Sequence, residues 1–415
     1  MSILILHYKG SLAAARYDQW LDDYEGDLIL LCSQEGLAAT GEELPASGHG
    51  YAHVEAVTGY EYGGELEARA LELAREHDVR YVIACQERDM ERAAQLREIL
   101  GLPGQTYASV LPFRDKVLMK ERAQQAGVPV AEYQCVECAV DVVSFAQTHG
   151  FPIVIKPRDG TGSFGVRILW TQADLDAFLT GEFEPYGQTV PNLMAEPFVS
   201  DTMCHVDGLV VGGKLIYAWP SRYLYALAVF QGDTSGRLDV TLDPDDPLTS
   251  RLLDLTDRVL ASMDCPRDFA FHEEVFYTKD DRLLLGEIAC RTGGAAQRDI
   301  QRTLFGVDPT QCWVRAQVGL PLPFSSDAAR LEPVSLTGQL GLLKRPGRVT
   351  RVPGPAPFPW VRKQDVFIRP GEVMGPAAFA ADFMALFVIA APTRDDSVAR
   401  MGELEAWFTD ELVLS

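Results

Sequence analysis

Residues 152–170 read PIVIKPRDGTGSFGVRILW: an apolar strand carrying Lys156, a turn running Gly160, Thr161, Gly162, Ser163, Phe164, Gly165 and Val166, then a second apolar strand. The turn satisfies GxGxxG, a string with little meaning by itself. In a dinucleotide-binding fold it must open a helix whose N-terminus holds the pyrophosphate, whereas here a strand follows. A protein kinase also sets the string on a hairpin, but its lysine comes after the loop and HRD and DFG sequences follow. Here Lys156 precedes the loop and neither sequence occurs. The remaining reading is a hairpin tip whose backbone N–H groups can lie along phosphate oxygens and which can hinge as a lid. A plain flexible hairpin with a surface lysine is the competing reading, so the neighbouring segments have to decide.

Downstream, FAFHEEVFYT and RLLLGEIAC read as two strands joined by the turn KDD at 279–281, and they carry Glu274 and Glu287. With the turn placed there, the two glutamates stand directly opposed. Like charges opposed on one sheet face repel, and a divalent cation converts that repulsion into coordination. Mg²⁺ is held by one or two carboxylates together with substrate phosphates. Glu273 then points to the other face. Arg291 follows the second strand beside Gly293 and Gly294, where a cation can stabilise a transferring phosphoryl group or an oxyanion.

Upstream, residues 1–112 alternate short apolar strands (2–7, DLILLC, VRYVIAC) with helical stretches (GELEARALELAREHD, ERDMERAAQLREIL), the pattern of a parallel α/β sheet. FRDKVLMKERAQQAGVPV reads as a helix stopped by Gly127 and Pro129. The predicted division is 1–112, 113–195 with the glycine loop, 196–320 with the two glutamates, and a Pro- and Gly-rich, β-rich closing segment at 321–415.

The 415 residues carry 37 Lys+Arg against 59 Asp+Glu, a formal charge of -22. That balance repels nucleic acid and anionic membranes at long range while leaving room for a local basic pocket. No apolar run approaches the roughly 18 residues of a membrane span, and the opening MSILILHYKG reads as a buried strand. Eight scattered cysteines in a chain of this size fit a reducing compartment, so the expected location is the cytoplasm. Cys135 and Cys138 form a lone CxxC without further zinc ligands.

In their order these parts resemble the ATP-grasp superfamily, in particular its carboxylate–amine and L-amino-acid ligase branch with a biotin-carboxylase-like fold. The resemblance implies an α/β (α+β) ATP-grasp fold with a Rossmann-like pre-ATP-grasp domain, a glycine-loop lid and a β-rich catalytic domain. It makes Lys116 and Lys156 the two phosphate lysines, which with Arg291 form the catalytic set, and residues Gly160 to Val166 the mobile loop. AEPFV resembles the adenine hinge, with Glu196, Phe198 and Val199 facing the base, Phe276 at the nucleotide and Asp207 near the ribose. Glu274 and Glu287 become the metal ligands. Glu87, His205, Arg222, His272, Arg291, Gly293, Gly294 and Arg298 become substrate contacts. One departure is Ala289, where the family often has a metal-binding Asn.

The implied activity is ATP-dependent activation of a carboxylate, an amino acid in this branch, as an acyl phosphate. Coupling to an amine then gives an amide or peptide bond, ADP and phosphate. The implied cofactors are ATP with one or two Mg²⁺, or Mn²⁺. The implied partners are small-molecule carboxylates and amines, with a homodimer among the expected assemblies. The alternatives are an ATP-grasp carboxylase, a carrier-thiol acyl ligase, and a non-catalytic nucleotide-binding regulator.

Overall fold

A computed structural model describes the chain apart from residues 9–11, 49, 163, 184–191, 200–201, 226–235, 325–329 and 379–381. The N-terminal strands β1 (Ser2–His7), β2 (Asp27–Ser33), β3 (Tyr51–Val57) and β4 (Val79–Ala84) form a parallel sheet in the order β3-β2-β1-β4. Every residue of β1 is buried, as a strand covered on both faces requires. One face packs on the helices Glu65–Glu76 and Glu87–Leu100. The other meets Tyr17, Trp20 and, from far along the chain, Val314 and Val318. The strand order reverses beside β1, which opens a crevice at the carboxyl ends of the strands. β3 carries no apolar run to announce it: His53 and Glu55 sit at its centre, and Glu55 is paired with Arg69 at 2.7 Å.

The helix Lys116–Gln125 lies within the stretch read as helical and starts at Lys116 because the Asp115 side chain caps the N–H groups of Val117 and Leu118 at 2.9 and 3.2 Å. Strands β5 (Gln134–Val136), β6 (Ile153–Pro157), β7 (Arg167–Leu169) and β8 (Leu193–Pro197) build an antiparallel lid sheet, ordered β5-β8-β6-β7. The glycine loop is therefore the β6–β7 connection. The expected boundary at 195/196 falls inside β8, whose ladder to β6 continues through Pro197.

Strands β9 (Thr202–Val211), β10 (Lys214–Tyr223), β11 (Arg237–Thr241), β12 (Phe269–Tyr277), β13 (Leu283–Ala289) and β14 (Leu336–Leu343) belong to one eight-stranded sheet. After β15 (Gly347–Arg351), the same sheet gains β16 (Val361–Val366). After β17 (Val373–Met374), it gains β18 (Phe383–Ala391). Its order is β13-β12-β9-β10-β11-β14-β18-β16, while β15, β17 and β19 (Val413–Leu414) form a small separate sheet. This corrects the expected boundary at 320/321. The tail supplies three strands to the sheet that carries Glu274 and Glu287, joined through the β11–β14 ladder. Among the described residues no helix is long and apolar enough to cross a membrane.

Candidate functional site

A cavity of about 320 Å³ lies between the lid sheet and the large sheet. Its roof holds Gly160, Gly162, Phe164 and Val166, and its rear wall Lys156, Glu196, Phe198 and Val199. Its floor holds His272, Glu274, Phe276, Glu287, Arg291 and Gly294. Thr161 is described but does not line it. Gly165, at φ +75°, instead packs on Pro157, where a Cβ would come within 2.9 Å of the ring. Ser163 lies outside the described residues.

Glu274 and Glu287 are cross-strand partners on β12 and β13, with a bulge just beyond them toward the hairpin tip. The ammonium of Lys116 lies 3.0 Å from Glu287 Oε2 and donates to the carbonyl of Gly160 at 2.6 Å, so one side chain joins the floor to the glycine loop. Burial alone would raise the Glu287 pKa, but Lys116 and Lys156 hold it well below the usual carboxylate range. Two hard oxygen ligand groups facing each other across a hairpin, with lysines nearby, fit a Mg²⁺ ion that also carries phosphate oxygens. Ala289 adds no further ligand atom.

Arg291 leaves the end of β13 and is held by Glu87, which accepts from its Nε at 2.7 Å and its Nη2 at 2.6 Å. The other oxygen of Glu87 accepts from Arg114. Glu87 was expected to touch substrate. It does not line the cavity, because both oxygens are engaged by guanidinium groups, and its effect there runs through the placement of Arg291.

Five other expectations change. Asp207 does not line the cavity and lies beneath its floor: its carboxylate accepts from His205 Nδ1 at 2.7 Å and His272 Nδ1 at 3.0 Å. His205 is fully buried, with its Nε2 on Asp239 at 2.9 Å, so it is spent inside the sheet. The acidic partners outweigh burial and raise His205 to about 10 and His272 to about 9. His205, Asp207 and His272 also cluster as metal ligands do, but the close donor atoms are already bonded to one another. Arg222 pairs across the ladders with Cys204 and Val240 and packs its guanidinium over Tyr277, on the sheet face away from the cavity. Arg298 binds Asp308 and the carbonyl of Ala14 and covers Trp20, where it joins the N-terminal unit to the rest. Gly293 backs His272: a Cβ there would come within 2.8 Å of Nδ1.

Several wall residues were not expected. Tyr225 comes just after β10, while Gln339 on β14 and Phe383 on β18 come from the tail; Tyr223, which ends β10 and is a pocket candidate from the sequence, lines the wall beside them. Gln297 opens the helix Gln297–Phe305, and its Nε2 donates to Asp239 Oδ2 at 2.7 Å. Behind the wall, and not lining the cavity, Lys120 is fully buried and lies 3.3 Å from Glu196 Oε2. Only Lys120 had a readable signal, its spacing of four from Lys116.

Residues 115–198 match the family model described as "Carbamoyl-phosphate synthase L chain, ATP binding domain". The chain has the ATP-grasp fold. Among curated proteins, the chain is 25% identical over 234 residues to the L-arginine-specific L-amino acid ligase of Bacillus subtilis, covering 55% of each. It is 32% identical over 74 residues to the carbamoyl phosphate synthase large chain of Thermoanaerobacter sp., 18% of this chain and 7% of that one. The chain thus spans about half the length of the ligase relative. Among solved structures, the L-amino acid ligase from Bacillus licheniformis superposes with a TM-score of 0.74 at 15% identity, covering 100% of this chain and 98% of that one. A carboxyaminoimidazole ribonucleotide synthase from Aspergillus clavatus, solved with ATP, superposes with a TM-score of 0.70 at 15% identity, covering 99% of both. At these identities the ATP-grasp fold is what the superpositions share.

Proposed function

We propose that the chain is an ATP- and Mg²⁺-dependent carboxylate–amine ligase acting on small molecules, with an amino acid as the carboxylate. The observation that carries this reading is the convergence of Glu274, Glu287, Lys116, Lys156 and Arg291 on one cavity under a glycine loop. Glu274 and Glu287 would hold Mg²⁺, which when bound supplies charge neutralisation on the phosphates. Lys116 and Lys156 would hold phosphate oxygens, and the apolar side chains of Val154, Phe198, Met203 and Phe276 would flank the base. A substrate carboxylate oxygen attacks the γ-phosphorus, the bond to the β-phosphate oxygen breaks, and ADP leaves. Arg291, fixed by Glu87, offsets the charge that develops there. The amine nitrogen then attacks the acyl carbon, the C–O bond to phosphate breaks, and the nitrogen loses a proton. Closure of the loop at 160–165 keeps out water that would hydrolyse the acyl phosphate.

The likeness to an L-amino acid ligase in sequence and in fold supports the amine as acceptor. The proposed location is the cytoplasm, where ATP and Mg²⁺ are available. An ADP-release screen of amino acids singly and in pairs, with mass spectrometry of the product, tests the reading. ADP release that needs two substrates and yields an amide supports it. ATP cleavage that depends on bicarbonate alone, or acyl transfer to a carrier thiol, would overturn it.

A further inference from the structure

We propose that Lys120 is a positioning residue: through Glu196 it sets the charge and place of the Lys156 ammonium at the cavity wall. The inference rests on the nucleotide reading above, and its observations are separate. Lys116 and Lys120 lie four apart on one helix and so share a face. Lys116 reaches down to Glu287 on the large sheet, whereas Lys120 reaches across to Glu196 on the lid sheet. The helix thereby braces both walls of the cleft.

Lys120 does not line the cavity, and its ammonium is fully buried. A buried ammonium is costly unless paired. Among the described residues, its ion-pair partner is Glu196, with the ring of Tyr133 at 5.9 Å. Glu196 is itself 3% exposed, and its other oxygen binds Lys156 Nζ at 2.5 Å. Two lysines on one carboxylate leave the buried trio with a net charge of +1. Lys156, the one cation of the trio that lines the cavity, presents that charge. Without Lys120, Glu196 and Lys156 close into a neutral pair, and the carboxylate holds the ammonium back from an incoming anion.

Isothermal titration of the full chain with adenylyl imidodiphosphate, ADP and AMP, each with Mg²⁺, tests this without knowledge of the substrates. Lys120→Met is expected to weaken the triphosphate analogue roughly tenfold, ADP less and AMP little, and Lys120→Arg to restore the wild-type order. The double variant Lys120→Met with Glu196→Gln removes the carboxylate as well as its second cation and should recover the triphosphate preference. It also keeps the question answerable if the single variant fails to fold, because the fully buried cation and the carboxylate it pairs with leave together, and Lys156 stays at the cavity wall. An equal loss for all three nucleotides, no loss for any, or no recovery in the double variant would overturn the proposal. A wild-type chain that binds none of the three would overturn the nucleotide reading beneath it.

Discussion

Glu274 stands directly across from Glu287 because β13 carries one extra residue at Gly286. At the tip of the hairpin Tyr277 pairs with Leu283, a register that, continued evenly, would put Gly286 opposite Glu274. The bulge shifts the ladder by one and brings the second carboxylate into line. Bulges next to functional sites re-aim side chains in this way. A glycine suits the position, since a Cβ there would lie 3.0 Å from the carbonyl oxygen of Glu274 and 3.3 Å from the Phe276 ring. Gly286→Ala is therefore expected to displace the glutamates and lower ADP release by roughly tenfold or more, as misplacement of about 1 Å at a reacting centre does. Steady-state kinetics beside a melting curve checks it: the loss in rate should exceed what the fall in stability explains.

Glu287→Gln removes the charge that Lys116 partners and one of the two proposed metal ligands. ADP release should fall by a factor on the order of 10³, and Mg²⁺ should no longer enhance nucleotide binding. Turnover like that of the wild type would remove the metal assignment.

Asp207→Asn breaks a carboxylate shared by two imidazoles and approached by Gln301 at 3.3 Å. Removing one member of a buried charged network typically costs about 3–5 kcal/mol, so a clear drop in melting temperature is expected. Nucleotide affinity should stay within about twofold of wild type, a change of under ~0.5 kcal/mol, because Asp207 does not line the cavity. A selective loss of ADP affinity at unchanged stability would restore it to the nucleotide site.

Asp89, fully buried in the first turn of Glu87–Leu100, accepts from the backbone N–H of Tyr8 at 3.0 Å. Burial raises its pKa from 3.8 to about 7, against the lowering effect of Tyr60, the Tyr8 N–H and Arg92. Between those two values the folded chain holds a proton that the unfolded chain has released. Asp89 therefore makes stability fall as pH rises from about 4 to about 7 and adds no further slope above that. Asp89→Asn should remove this contribution, so that the variant gains more stability over wild type at pH 8 than at pH 5. Denaturant melts at both pH values measure it, and an equal difference at the two would refute it.

Much of the fold could be read locally, because local chemistry decided it. The Asp115 cap, the Gly127 stop and the alternation of apolar runs with amphipathic helices place elements without reference to partners. β3 escaped because its centre is polar, and its strand character comes from pairing with β2. The joining of the tail to the large sheet escaped for a related reason: ladder partners such as Asp239 and Gln339 lie about a hundred residues apart, and no local pattern encodes that pairing.

At the site, the sequence by itself determined the chemical inventory: a lysine before a glycine hairpin, two glutamates on neighbouring strands, and an arginine beside two glycines. Residue type and spacing suffice there, since a tight hairpin leaves few ways to arrange its own strands. Only the tertiary structure decided which charges meet. It gave Glu87 to Arg291 and Arg114, Asp207 to two histidines, Glu196 to two lysines, and Arg222 to the far face of its sheet. A buried charge must find an opposite charge. Where several candidates exist along the chain, the long-range packing of the sheets, and not the order of the residues, selects the partner.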